Sequence, residues 1–247
     1  MHWDFALILI FFAVAVPLLG LRRIRNLMRM PETTKRNRLA LYASTVAFQW
    51  FAFAVILWRV KAHRISPSDL GLAMPRPGLT AIVTILLSVF VLAYQLASLR
   101  TISAHPELVR GMLPQIALKI FPQDSTERTA FFGVVITVAI CEEWIYRGFA
   151  QQVFQDSASG MILAGVAGSA VMFALAHLYQ GPRGVVTTLI VGVLFSVVRA
   201  WTGSLAAPLV AHFITDMVAG FLAPPRFRRA LAIQAGRTGD SVPSTSL

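Results

Sequence analysis

Seven stretches of roughly twenty apolar residues, separated by short basic loops, constrain this chain more than any other feature. They run Trp3–Leu21, Leu39–Trp58, Leu79–Leu99, Thr129–Gln152, Gly160–Tyr179, Gly184–Trp201 and Ser204–Leu222. A bilayer core of about 30 Å takes about 20 residues of α-helix, and a backbone in lipid must satisfy its own hydrogen bonds. The expected fold is therefore all-α: a polytopic bundle of about seven transmembrane helices. The mixed segment Glu107 to Phe121 is either an interfacial amphipathic helix or part of an eighth span. Composition agrees, with 56% hydrophobic and 13% charged residues in 247. A soluble domain carries about 25% charged residues. A soluble globule, a disordered chain and a disulfide scaffold are thereby excluded, the last also because Cys141 is the single cysteine.

Three regions follow. Residues 1–128 hold three spans and basic loops without a recognisable motif. Residues 129–222 hold four spans with polar side chains inside them. Residues 223–247 are basic and then polar, a composition that reads as a disordered tail.

The formal charge of +11 would suggest nucleic acid in a soluble protein. Here the 22 basic residues lie mainly between apolar runs. They set topology and face anionic lipid headgroups, and nucleic acid is not an expected partner. The loop Arg22 to Arg38 alone holds Arg22, Arg23, Arg25, Arg29, Lys35, Arg36 and Arg38. Placing it inside gives sixteen basic residues in and five out, with Arg147 in a span. That asymmetry favours an N-terminus outside and a C-terminus inside, in an integral protein of a prokaryotic plasma membrane. Trp3, Trp58 and Trp201 mark span ends, as an aromatic belt would.

Against this apolar background, a few polar residues stand out. Eight of the eleven carboxylates lie in loops or at span ends, whereas Glu142, Glu143 and Asp216 lie within spans, together with His177, His212 and Arg147. A charge at a span centre costs about 2.5–3.5 kcal/mol on insertion scales, so such residues are paired, neutral or facing water. Glu143 and Arg147 are four apart and share a helix face, as do His212 with Asp216 and Phe173 with His177. Glu142 points about 100° away from Glu143, toward another helix. Three spans thus each present a polar head. One carboxylate and two imidazoles can activate water and stabilise an oxyanion. The same Glu142, His177 and His212 could instead hold one divalent metal such as zinc. Straight spans, however, put Glu142 about 20 Å from the inner face and His177 about 5 Å, a mismatch in depth.

The motifs E-E-x-x-x-R, F-x-x-x-H and H-x-x-x-D, in that order on separate spans, resemble the CPBP family of CAAX prenyl proteases and bacteriocin-processing enzymes, also called Abi. The surrounding residues Cys141–Phe149 (CEEWIYRGF), Phe173–Leu178 (FALAHL) and Gly203–Phe213 (GSLAAPLVAHF) extend the likeness across about 129–222. The resemblance implies an intramembrane endopeptidase of metallo- or glutamate type acting on a membrane-associated protein or peptide. It implies that Glu142 is the general base, holding water with His177. His212 would stabilise the oxyanion with Asp216 assisting or orienting it, while Glu143, Arg147 and Phe173 hold the site in place. The family's third motif most often ends in Asn. Asp216 departs from it, and an ionised Asp accepts hydrogen bonds where Asn also donates. A proton-coupled transporter and a non-catalytic scaffold or immunity protein on the same fold are the alternatives.

Overall fold

The computed structural model describes residues 2–239, and among them there is no β-strand. Among the described residues eight helices follow one another: α1 (Trp3–Arg29), α2 (Lys35–Ala62), α3 (Pro77–Ala104), α4 (Met112–Ile120), α5 (Ser125–Ser157), α6 (Ile162–Ala176), α7 (Gly181–Thr202) and α8 (Ala206–Gly239). The bundle is that of an integral membrane protein. Among the described residues six helices are long and apolar enough to cross a bilayer, namely all but α4 and α6. All seven apolar stretches are helical, but the fifth is a fifteen-residue helix, α6, rather than a full span. The segment around Glu107 to Phe121 is settled by length: α4 has nine residues, about 14 Å, too short to cross. Residues 223–239 are helical, not the start of a tail, because α8 continues without a break past Leu222 to Gly239. The polar residues 240–247 lie outside the described residues.

Local chemistry sets the helix starts. Thr34 caps α2 by accepting from the Asn37 backbone N–H at 3.2 Å, and Asp124 caps α5 by accepting from the Glu127 N–H at 2.9 Å. α3 starts on Pro77, whose missing N–H is one of the unsatisfied donors of a first turn. α7 ends at Gly203, whose φ of +72° is a left-handed closing conformation that glycine adopts without strain.

α5 is the central element. Of its most apolar window 56% is buried, against 22–39% for the other five long helices. Phe5 and Phe12 of α1, Ile56 of α2, Trp144 and Phe149 of α5 and Met172 and Phe173 of α6 form one core cluster. Val83 and Leu87 of α3, Phe195 and Val198 of α7 and Ala211 of α8 form another. Trp3, Phe51, Leu163 and Ile190 face outward, where lipid replaces water.

Close approach of α5, α6 and α7 depends on small residues, as is common between membrane helices. A Cβ on Gly165 would lie 2.7 Å from the Gln151 carbonyl oxygen, and one on Gly192 would lie 3.1 Å from the Ala170 Cα. Across these faces Ser169 donates to the Tyr146 carbonyl at 2.8 Å and Gln151 donates to the Ser196 carbonyl at 3.0 Å. This α5–α6 hairpin removes the mismatch in depth. Glu142 lies fifteen residues before the end of α5 and His177 fifteen residues after the start of α6. Both are therefore about 20 Å from the turn that joins the two helices.

Candidate active site

The site begins where α5 changes its winding. Residues Glu143–Ala150 form a π-helical segment, and all eight are buried. Such wider turns inside α-helices recur at functional sites. Gly148 lets the segment pack tightly, since a Cβ there would come within 3.2 Å of the Leu70 carbonyl oxygen.

Within the segment, Arg147 Nη1 donates to Glu143 Oε1 at 2.9 Å, with both side chains fully buried. The guanidinium carbon sits 4.1 Å from the Phe173 ring centroid and 5.4 Å from that of Phe195. Two aromatic faces and one carboxylate thus surround the cation. Phe173 links this pair to both imidazoles, its ring centroid being 4.5 Å from that of His177 and 6.0 Å from that of His212.

Each imidazole is fixed through Nδ1. His177 closes α6, and its Nδ1 donates to the Phe173 carbonyl at 2.8 Å. His212 Nδ1 donates to Glu143 Oε1 at 2.8 Å. A carboxylate paired with arginine only accepts, so Nδ1 of His212 carries a proton and Nε2 faces the site. From there Nε2 is 4.0 Å from Glu142 Oε2 and 3.6 Å from Asp216 Oδ2. Glu143, not Asp216, is thus the residue bonded to the rear nitrogen of His212; Asp216 lies on its front side.

Glu142 keeps one oxygen engaged and one free. Its Oε1 accepts from Gln49 Nε2 at 2.9 Å, and its buried Oε2 has no hydrogen-bond partner. Glu142 and Asp216 retain 14% and 30% side-chain exposure, against 0% for Glu143. Glu142, Glu143, Arg147, Phe173, His212 and Asp216 are linked by these contacts, and His177 joins them through Phe173.

Gln49 on α2 is the contact that the motifs do not contain. Its signal in the sequence is an amide alone in an apolar run, a costly residue to leave without a partner in lipid. The neighbouring Trp50 Nε1 donates to Thr137 Oγ1 at 3.2 Å, so two consecutive residues of α2 hold the helix against α5.

The donor set Glu142, His177 and His212 does not close around a common point in this arrangement. Among the described residues no group of three or more His, Cys, Asp or Glu is placed to hold a metal ion.

Residues 125–218 match a family model described as Type II CAAX prenyl endopeptidase Rce1-like. That stretch contains all seven polar and aromatic motif residues from Glu142 to Asp216, and it is consistent with the CPBP family. No curated protein and no solved structure matches the chain.

Proposed function

Taking residues 125–218 as an Rce1-like domain of a protease family, we propose that this protein is an intramembrane endopeptidase in which Glu142 activates water. The observation that carries the reading is the unpartnered Glu142 Oε2 facing His212 Nε2 at 4.0 Å, with the rear nitrogen of that imidazole fixed by Glu143. A group of this kind needs a free basic atom within reach of a proton and a donor aimed at the developing charge.

In the proposed reaction Glu142 Oε2 takes one proton from water held with His177. The water oxygen bonds to the scissile carbonyl carbon, and the carbonyl electron pair moves onto oxygen. His212 Nε2, protonated in addition to Nδ1, donates to that oxyanion, with Asp216 beside it. Collapse breaks the C–N bond, and the departing amine takes the proton from Glu142. Glu143 and Arg147 keep His212 turned toward the reaction.

The substrate is a peptide bond in a membrane-anchored protein or peptide, since the site lies between lipid-facing helices. Basic residues at the helix ends face anionic headgroups. Mass spectrometry of membrane proteins from cells carrying the wild type, Glu142→Ala or His177→Ala tests this. Peptide termini present in the wild type and absent from both variants are expected, with all three proteins inserted equally. The same termini in all three would refute it.

A further inference from the structure

Gln49 is more than 90% buried, lies on α2 outside the matched stretch 125–218, and makes its described hydrogen bond to the proposed base. An amide offers two donors and an acceptor, and a carboxylate offers acceptors only. The side facing Glu142 is therefore the NH₂ group, which leaves the carbonyl Oε1 as the other polar atom. That Oε1 is buried without a hydrogen-bond partner, and so is Glu142 Oε2. Unsatisfied buried polar atoms are costly and rare. Here two of them belong to one hydrogen-bonded pair, and both are acceptors.

We propose that Gln49 is a positioning residue of the hydrolytic site: its Nε2 holds Glu142 Oε1, so that Oε2 is the oxygen left to take the proton from water. The inference rests on the hydrolase reading above. Glu142 Oε2 receives the transferred proton, and the other O–H stays on the oxygen that bonds to the carbonyl carbon. The bond from Trp50 to Thr137 holds the same turn of α2 against α5, so the amide is presented by a fixed helix. α2 is thereby part of the site and not only a packing element.

The test is steady-state kinetics of the full-length protein in vesicles, with a quenched peptide built on a cleavage site found to depend on Glu142. Gln49→Met keeps the length of the side chain and removes both polar atoms. Expected is a fall in kcat of about a hundredfold, the scale of one lost preorganised donor, with KM within about twofold, because substrate contacts remain. Gln49→Glu keeps an acceptor but loses the donor and places a second carboxylate against Glu142, so kcat falls as far. Thermal unfolding of Gln49→Met in detergent close to that of wild type shows that folding is not the cause. A wild-type kcat in Gln49→Met, or a loss confined to KM or to stability, overturns the inference while leaving the hydrolase reading in place. Absence of any Glu142-dependent cleavage overturns both.

Discussion

Replacing Glu143 by leucine removes the acceptor shared by Arg147 Nη1 and His212 Nδ1. Arg147 Nε and Nη2 have no other hydrogen-bond partner, so the variant leaves a fully buried cation held only by the Phe173 and Phe195 rings. Breaking a buried pair from one side costs about 3–5 kcal/mol. The ring faces offset about 1–2 kcal/mol of that if they stay in place, and a chain unfolded in a micelle also finds partners for its arginine. The expected loss is therefore about 3 kcal/mol, or roughly a hundredfold in the folding equilibrium. Arg147→Met should cost less, because His212 still donates to Glu143. Joining Glu143→Leu with Arg147→Met removes both charges and should return stability to near the wild-type value. Cleavage should not return, since His212 still lacks the acceptor that turns Nε2 toward Glu142. Equilibrium unfolding in mixed micelles, followed by tryptophan fluorescence, measures the four proteins. Penalties that simply add in the double variant, with a coupling under about 0.5 kcal/mol, would refute the argument.

Further outcomes follow from the same contacts. Gly165→Ala places a Cβ 2.7 Å from a backbone oxygen of α5, and should cost about 1–3 kcal/mol in the same unfolding measurement. Asp216→Asn keeps an acceptor on the front side of His212 and should retain cleavage within about tenfold, whereas Asp216→Leu should lose more than tenfold in kcat/KM. The Asp124 carboxyl, at the exposed start of α5, is held below its ordinary 3.8 by the Glu127 backbone N–H and then by Lys35. Its folded-state value is depressed, so its stabilisation is complete above that ordinary value and is lost as pH falls through the folded one. Asp124→Asn keeps the cap but not the charge, and unfolding followed between neutral and acid pH should show a smaller decline than in wild type.

The helical bundle was legible because hydrophobic runs of span length have few other solutions. The i,i+4 spacing of Glu143 and Arg147 also translated directly into a bond, since it depends on one helix alone. Three features were not legible, each for a physical reason. The π-helical turn at Glu143–Ala150 depends on how α5 fits its neighbours and has no residue signature of its own. The bond from His212 to Glu143 depends on the relative rotation of α5 and α8, so the closer sequence neighbour Asp216 looked like the natural orienter. The depth of His177 depends on α6 being short, whereas the apolar run continues past its end to Tyr179, within the 3₁₀ turn Leu178–Gln180. Gln49 was visible as an isolated amide, but only the packing of α2 on α5 gives it a partner.

The central claim is that the free oxygen of Glu142 activates the water that cuts the substrate. Purified protein in vesicles, given a peptide containing a mapped cleavage site in heavy-oxygen water, tests it most directly. The account predicts heavy oxygen in the new carboxyl terminus from the wild type and no product from a folded Glu142→Gln variant. Product formed by Glu142→Gln at the wild-type rate would contradict it.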